Sequence, residues 1–309
     1  MDRRDLLKVL GVGCLASIIS PTKLFSTKEN QETPEIPITF CTNKNLNPEN
    51  LTLKALKLHG NLGDYISKGD IVVVKPNIGW DRKPQQAANT NPLIVETVIK
   101  QCLNAGAKNV KVFDNTCNDP RRCYIRSGIK DAVERAGGII DFMEKRRFKK
   151  MDIKGEKLKS WAVYKDAVEC DKFINLPILK HHSLSRLTIG MKNLMGIVDD
   201  PRGIWHKNLD TYLVDITRFI KPTLTIVDAY RVLTRNGPSG GSLNDVKMYN
   251  TIIISKDPVG ADAQAAQMMG ISPETINYIK LAKISGLGSL SLSSNRIKKG
   301  NKVENTSDQ

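Results

Sequence analysis

A regular alternation of strands and helices between residues 69 and 142 constrains the fold of this chain most strongly. The segment GDIVVVKPN (69–77) contains a run of valines with no polar alternation. Such a run is typical of a strand buried on both faces, as in a parallel sheet. Further elements follow in this order: a helix at 91–107, a strand at 108–114, a helix at 128–137 and a strand at 137–142. This order predicts an α/β fold with an open, mostly parallel sheet and helices on both faces.

The same pattern resumes in the second half of the chain. The predicted elements are a strand at 173–179, a helix at 208–220, strands at 222–229 and 249–257, and a helix from 258 to 270. A chain of 309 residues is long enough for one large domain or for two closely packed lobes. We expect a single α/β domain at 36–290 and a disordered polar tail at 291–309.

The first 26 residues resemble a twin-arginine export signal. Arg3 and Arg4 precede Leu6, Leu7 and Lys8, and a mildly hydrophobic stretch follows. The cleavage position stays open because there is no Ala-x-Ala site, and a short hydrophobic helix that remains attached is the alternative. The resemblance implies export to the periplasm or cell envelope by the twin-arginine translocation machinery. The apolar run (9–19) is too short to span a bilayer, so no transmembrane helix is expected in the mature chain.

The formal net charge of +15 favours anionic partners in general. Much of this charge lies in two runs, EKRRFKKMDIKGEKLK (144–159) and RIKKGNK (296–302). Neither run has interleaved aromatic residues or a nucleic-acid-binding motif, so we expect a solvated face and a loose tail. Nucleic acid is therefore not an expected partner.

The cysteine spacing argues against a four-iron, four-sulfur cluster. Six cysteines are present, but there is no CxxC pair. Cys117 and Cys123 are close enough in sequence for a local disulfide, and unpaired thiols are the alternative. The identity of any cofactor or metal stays open.

Polar residues follow several of the predicted strands. In open α/β sheets, ligands bind beyond the carboxyl ends of the strands. Lys75 and Asn77 end one strand, Lys180 and His182 follow another, and Asp228 ends a third. We therefore expect these side chains to meet at one edge of the sheet, where lysine and amide groups suit an anionic ligand.

The stretch DKFINLPILKHHSLSRLTIGMKNLMG (171–196) holds the densest group of such residues. Neighbouring side chains of a strand point in opposite directions, so His182 shares the side of Lys180 and His181 does not. Further along, Lys192 and Asn193 interrupt an apolar segment. A buried ammonium group needs an anion or water. Its partner is either an internal carboxylate, such as Asp228 or Asp262, or a bound ligand.

The glycine-rich segment RNGPSGGSLND (235–245) is a second candidate anion site. Such a loop can expose backbone N–H groups, here around Gly237 and Gly240. It matches neither the Walker pattern nor GxGxxG. A flexible surface loop is the alternative.

Taken in order, these motifs resemble the domain of unknown function 362 family. The resemblance covers about residues 70–270 and rests on VVVKPNIG, the stretch at 174–198, KPTLTIVDA, NGPSGG and SKDPVGADAQAAQMMG. It implies shared polar positions at Lys75, Pro76, Asn77, Pro92, Lys180, His182, Lys192, Asn193, Asp228, Gly237, Pro238, Asp257 and Asp262. The iron–sulfur label that some members carry does not transfer, because the cysteine clusters are missing here.

The leading functional hypothesis is an exported enzyme that acts on an anionic small molecule. In it, His182, Lys192 and Asp228 are the catalytic residues. The anionic substrate or cofactor is held by Lys75, Asn77, Lys180, Asn193, Gly237 and Gly240. The alternatives are a non-catalytic binding protein for an anionic ligand or metal and, less favoured, an iron–sulfur electron-transfer partner.

Overall fold

The structure, a computed structural model, describes residues 36–293 and 297–300. The predicted signal segment, residues 1–26, lies outside them. The strands in these two stretches are β1 (Ile38–Thr42), β2 (Ile71–Pro76), β3 (Asn109–Val112), β4 (Ile139–Ile140), β5 (Phe148–Asp152), β6 (Ser160–Tyr164), β7 (Lys172–Leu176), β8 (Ile178–His182), β9 (Arg186–Thr188), β10 (Leu224–Leu233), β11 (Val246–Ser255) and β12 (Ile297–Lys299). The helices are α1 (Pro48–His59), α2 (Pro92–Asn104), α3 (Pro120–Arg126), α4 (Ile129–Arg135), α5 (Lys165–Glu169), α6 (Gly190–Asn193), α7 (Leu209–Ile220), α8 (Pro258–Met268) and α9 (Asn277–Ile284).

A mixed, mostly parallel sheet forms the centre of the fold. Within the described residues it has ten strands, and its main path runs β12-β1-β11-β10-β7-β2-β3-β4, with β8 and β9 joined beside β10. The pairs from β10 through β7, β2 and β3 to β4 are parallel. β11 pairs antiparallel with β10 and β1. The predicted α/β class and its mostly parallel sheet are confirmed.

Helices cover both faces of this sheet. α1, α2 and α4 pack against one another on one face, and α7, α8 and α9 pack on the other. In β2, Val72 and Val74 belong to the apolar core on the first face, whereas Val73 belongs to the core on the second. Burial on both faces explains why the valine run has no polar alternation. The described residues form one compact unit.

Local sequence signals set the ends of the helices that flank the site. Asn91 caps α2, with its side-chain oxygen accepting a hydrogen bond from the Leu93 N–H, and Pro92 is the first helical residue. Asp257 caps α8 in the same way by accepting from Val259 and Gly260. The capping residues therefore fix where these helices begin relative to the strand ends.

The strand predicted at 173–179 is divided in two by Pro177, which cannot donate to the sheet. β7 pairs with β2 and β10, and β8 then pairs with the later part of β10 and with β9. The Pro177 carbonyl accepts from the Asp228 N–H at 2.8 Å. The chain therefore continues as β8 and carries Lys180 and His182 beyond the end of the central sheet.

Part of the segment predicted to be a disordered tail forms a strand. β12 pairs in parallel with β1 at the edge of the sheet, where the free backbone groups of an edge strand can accept a further strand. The other basic run, 144–159, contains β5 and the turn that leads into β6, and Lys149 and Lys150 of β5 are exposed. In the part of the chain that the structure describes, no helix has the length and apolarity needed to cross a bilayer.

Candidate functional site

A cavity of about 480 Å³ lies beyond the carboxyl ends of β2, β3 and β8. Its wall combines strand ends with the loops that follow β3, α6 and β8. The polar side chains in the wall include Lys75, Asn77, Asp114, Asn115, Thr116, Cys117, Lys180, His182, Thr188, Lys192, Asn193, Asp200, Arg202 and His206. The cavity lies where open α/β sheets bind ligands and has a volume that suits a small molecule.

The floor of the cavity is a buried ion pair between Lys75 and Asp114. The Lys75 Nζ lies 2.7 Å from the Asp114 Oδ1 and also donates to the Asn193 Oδ1 at 2.9 Å. Burial lowers the pKa of Lys75, and the neighbouring Asp114 opposes that shift. The Asp114 Oδ2 accepts a hydrogen bond from the Ile78 N–H. Because every charged atom of this pair has a protein partner, Lys75 supports the site and does not offer a free charge.

Gly196 brings the backbone into contact with that ion pair. A side chain there would place its Cβ 1.7 Å from the Asp114 Oδ1 and 2.6 Å from the Lys75 Nζ. The Gly196 carbonyl accepts from the Asn115 N–H at 2.8 Å. The glycine that ends the MKNLMG motif is therefore required by close approach.

The Asn193 side chain joins three strand and loop segments. Its Nδ2 donates to the Lys75 carbonyl at 3.0 Å and to the Asn175 Oδ1 at 2.8 Å. The Asn175 Nδ2 in turn donates to the Gly190 carbonyl. The Asn77 Nδ2 reaches the Asn193 Oδ1 at 3.3 Å. This amide network fixes α6 against the ends of β2 and β7.

Lys180 is fully buried beside the cavity and has neutral partners. Its Nζ donates to the Asn77 Oδ1 at 3.2 Å and to the Ala88 carbonyl, and it lies 5.9 Å from the centre of the Trp80 ring. Burial, with smaller contributions from the charges of Lys192 and Lys75, lowers the pKa of Lys180 to about 7, and the Asp114 carboxylate opposes this shift. At neutral pH this amine exists in both protonation states, which suits it to proton exchange.

Lys192 is the second buried ammonium group of the wall. The residue is 8% exposed, and its Nζ contacts the thioether of Met195 at 3.4 Å. Burial lowers the pKa of Lys192 to about 8. Among the described residues, no carboxylate forms an ion pair with Lys192 or Lys180. An unpaired buried cation is costly, so this arrangement favours an anionic ligand as the missing partner.

Neither internal carboxylate that the sequence offered as a partner reaches Lys192. The Asp262 Oδ1 and Oδ2 accept from the Gly190 and Met191 N–H groups at 2.7 and 3.0 Å. Burial raises the pKa of Asp262 to about 7, and these two hydrogen bonds oppose the shift. Asp262 therefore holds the start of α6 in place, and Lys192 extends from the same short helix into the cavity.

Asp228 binds backbone groups away from the cavity wall. Its Oδ2 accepts from the Asn91 N–H at 2.7 Å and its Oδ1 from the Tyr230 N–H at 3.0 Å. Burial raises the pKa of Asp228 to about 6. Asp228 is not among the residues that line the cavity, and its contacts are those of a residue that positions the start of α2.

His182 lies in the wall on the same side as Lys180, as the strand alternation predicts, whereas His181 faces the loop that follows β10. The His182 Nδ1 accepts hydrogen bonds from the Leu184 and Ser185 N–H groups at 3.1 and 3.3 Å. The neutral ring therefore carries its hydrogen on Nε2. Burial, with smaller contributions from the charges of Lys192 and Lys180, lowers the pKa of His182 to about 3. These contacts suit His182 to donate a hydrogen bond to a ligand rather than to take up a proton.

His206 provides a hydrogen-bond acceptor beside the donor of His182. Its ring stacks on the His182 ring with the centroids 6.2 Å apart, and its Nδ1 lies 2.9 Å from the Gly203 carbonyl. Since a carbonyl only accepts, the Nδ1 donates and the neutral ring has a free lone pair on Nε2. The exposed ring of His206 thus presents a hydrogen-bond acceptor to the cavity that it lines.

The loop at 235–245 contributes less to the cavity than the sequence suggested. Its Pro238 lines the wall, but Gly237 and Gly240 are not among the lining residues. The Gly237 N–H donates to the His181 Nδ1 at 3.1 Å, and a Cβ there would lie 2.0 Å from the His181 carbonyl oxygen. Gly237 is therefore needed for close packing against β8.

Arg202 and Thr188 also line the cavity, and the motifs of the sequence did not point to them. The Arg202 Nη2 donates to the Thr116 carbonyl at 2.7 Å, and its Nε lies 3.8 Å from the Asp200 Oδ1. The Arg202 Nη1 and the Thr188 Oγ1 are buried and have no hydrogen-bond partner within the described residues. Arg202 follows a turn (199–201), and no periodic pattern predicts which way such a turn directs the chain.

Cys41, Cys102, Cys117 and Cys123 are free thiols. Cys123 is buried and Cys117 is exposed in the cavity wall, so the disulfide considered from the sequence is not formed. No group of three histidine, cysteine or carboxylate side chains within residues 36–293 and 297–300 is arranged to hold a metal ion.

Fold and site together define an α/β protein with a ligand-sized cavity, whose wall contains two buried lysines, Lys180 and Lys192, without a carboxylate partner among the described residues. Residues 72–267 match the family described as "Domain of unknown function (DUF362)". The chain belongs to this family, which confirms the resemblance inferred from its motifs.

Two known proteins are similar over much of the chain. The "Thylakoid-associated protein sll1697" of Synechocystis is 26% identical over 237 residues, which are 74% of this chain and 72% of that protein. The lactate racemase apoprotein of Thermoanaerobacterium thermosaccharolyticum superposes with a TM-score of 0.48 at 13% identity. That superposition covers 74% of this chain and 56% of the racemase chain.

Proposed function

We propose that the cavity binds a small anionic molecule and that the surrounding groups carry out acid–base chemistry on it. The observation that carries the proposal is Lys192, a buried ammonium group with no carboxylate partner among the described residues. Lys180 adds a second unpaired charge and Arg202 a partly free guanidinium. An anion bound among these groups would offset the cost of burying them.

The acid–base part of the proposal rests on three side chains. Lys180 has a pKa of about 7 and can give or take a proton near neutral pH. His182 presents an Nε2–H donor for a developing negative charge, and His206 presents an Nε2 acceptor. Catalysis of this type would make the protein an enzyme, whereas binding without chemistry would make it a carrier for the same anion.

Thermal unfolding in a panel of anions tests the binding proposal. We expect sulfate, phosphate, acetate or malonate at millimolar concentration to raise the melting temperature by a few degrees, whereas chloride at equal ionic strength does not. Lys192→Met keeps the side-chain length but removes the charge, and it should abolish most of the shift. Lys57→Met removes an exposed lysine of α1 and serves as the matched control. If none of the four anions raises the melting temperature above the chloride value, anion binding is wrong.

Proton exchange tests the catalytic part. The protein is incubated with small carboxylates in heavy water, and proton spectra report the loss of carbon-bound hydrogen. We expect exchange that is at least tenfold slower in Lys180→Met, since the group with a pKa near 7 is removed. Anion binding with no exchange in any carboxylate would instead support the carrier.

We further propose that the protein is exported as a folded molecule through the twin-arginine route. The support is Arg3 and Arg4 ahead of the short apolar run. The Synechocystis relative is named for its association with thylakoids, which places that protein at a membrane system. Replacing Arg3 and Arg4 by lysine should retain the protein in the cytoplasm. Unchanged distribution of this charge-conserving variant on cell fractionation would refute the route.

A further inference from the structure

One thiol stands among the cations of the cavity. Cys117 lies in the loop that follows β3, and its backbone N–H is held by the Gly79 carbonyl at 2.9 Å. The Cys117 Sγ lies 3.8 Å from the Arg202 Nη2, and the cavity wall also contains Lys180 and Lys192. In proteins, reactive cysteines occupy electropositive and partly exposed surroundings of this kind.

The other cysteines in the described stretches lie in different surroundings. Cys41, Cys102, Cys123 and Cys170 are all buried. Burial raises the pKa of Cys123 to about 11 and that of Cys102 beyond it. Burial shields these four thiols from reagents in solution, so they provide an internal comparison for Cys117.

A second observation points to a ligand site beside the thiol. The Arg202 Nη1 and the Thr188 Oγ1 are buried without partners in the described part of the chain, and both residues line the same cavity as Cys117. Arg202 is 8% exposed, so water does not fully compensate the free N–H groups. A carboxylate bound to this guanidinium would lie within reach of the neighbouring sulfur.

We propose that Cys117 is a nucleophile of this site, and that the site takes a small carboxylate that also carries an electrophilic carbon. This inference rests on the proposed anion binding and adds a covalent step to it. The cations offset the repulsion between an anionic reagent and the sulfur, and they concentrate the reagent beside it.

Iodoacetate and iodoacetamide provide a matched pair of probes. Iodoacetate carries a carboxylate where iodoacetamide carries a neutral amide. In both reactions the sulfur forms a bond to the methylene carbon, the carbon–iodine bond breaks, iodide leaves with the electron pair, and the thiol proton passes to the buffer. Rates are followed by mass spectrometry of the peptide that contains Cys117. We expect the ratio of the iodoacetate rate to the iodoacetamide rate to exceed that of 2-mercaptoethanol by at least about tenfold.

Substitutions in the cavity wall test whether its cations cause the raised ratio. Arg202→Gln and Lys192→Met should each lower this ratio severalfold toward the free-thiol value, whereas Lys57→Met should leave it unchanged. Bound sulfate should slow the iodoacetate reaction more than the iodoacetamide reaction.

If the ratio of the iodoacetate rate to the iodoacetamide rate in the wild-type protein equals that of 2-mercaptoethanol, the proposal is wrong. This measurement uses only the wild-type protein, so it does not depend on the folding of any variant. The thermal unfolding experiment with the four anions then shows whether only the nucleophile proposal fails or whether the anion-binding proposal fails with it. If they still stabilise the protein, the anion site stands without a nucleophilic Cys117. If they do not, the binding proposal fails as well.

Discussion

At the scale of single residues, Gly196 links the stability of the site to its geometry. A methyl group at this position would overlap the buried Asp114 carboxylate. Asp114 cannot move without losing its contacts to Lys75 and Ile78. We therefore expect Gly196→Ala to lower the free energy of unfolding by about 3 kcal/mol or more, in the range for disrupted buried ion pairs. Urea denaturation measures the change.

Gly203 provides the control for this substitution. It lies in the same region of the chain, and a Cβ there would meet no atom within 4 Å. Gly203→Ala should change the free energy of unfolding by less than about 1 kcal/mol. Equal stability of the two variants would show that the contact of Gly196 with the ion pair is not a constraint.

Residue chemistry also explains how much of the site the sequence predicts. The sequence predicts Lys180 and His182 as site residues because they follow a strand whose end converges with others. It predicts Lys192 and Asn193 because an ammonium group in an apolar segment needs a partner. Arg202 and Cys117 lie in loops whose path depends on tertiary contacts, and Thr188 ends the three-residue strand β9, so no local pattern points to these residues. Asp228 has the sequence position of a site residue, but its carboxylate is used by backbone N–H groups.

At the scale of elements, the short helix α6 controls where Lys192 points. Four residues cannot form a stable helix alone, and Asp262 supplies the anchor through two N–H groups. We expect Asp262→Ala to lower the unfolding free energy by about 2–4 kcal/mol and to weaken sulfate binding at least fivefold, because Lys192 loses its fixed position. Urea denaturation and calorimetric titration measure the two effects.

Asp215 of α7 is the matched control. Its carboxylate accepts three backbone hydrogen bonds, from Glu156, Lys157 and Leu158, and it does not line the cavity. Asp215→Ala should lower stability to a similar degree with sulfate affinity unchanged. If both variants bind sulfate like the wild type, α6 does not position the site.

At the scale of the whole molecule, the local sequence pattern predicts the parallel centre of the sheet. It does not predict the edge of the sheet. The strand and helix order of residues 69–142 predicts the centre of the sheet, because parallel strands require intervening helices. The pairing of β1 with β12 joins segments that are more than 250 residues apart, and β12 consists of three residues. A basic polar segment of this length carries no strand signal of its own.

This edge can be tested by truncation. Cys41 is buried in β1 and contacts Gly300, just beyond β12. A chain that ends at residue 293 lacks β12 and Gly300, which pack against β1. The Cys41 thiol should therefore be labelled by a maleimide at least tenfold faster than in the full chain. Cys117→Ser in both chains removes the exposed thiol of the described residues, and mass spectrometry of the peptide that contains Cys41 reports the labelling of Cys41 separately from that of Cys14. An unchanged labelling rate would contradict the contribution of β12 to the sheet edge.

Proton uptake on anion binding tests the central claim most directly. Lys180 and Lys192 have pKa values of about 7 and 8, so their charged fraction falls as the pH rises through this range. A bound anion stabilises the charged forms and raises both pKa values, so binding at pH 8 must draw protons from the buffer. Affinity for sulfate should accordingly fall between pH 7 and pH 9.

Calorimetric titration with sulfate at pH 8, in Tris and in HEPES, measures this uptake through the different ionisation heats of the buffers. We predict that at least about half a proton is taken up per sulfate at pH 8, and close to none at pH 6, where both lysines are already charged. Lys192→Met should reduce the uptake at pH 8. Sulfate binding with no proton uptake at pH 8 would show that the buried lysines are not the groups that hold the anion.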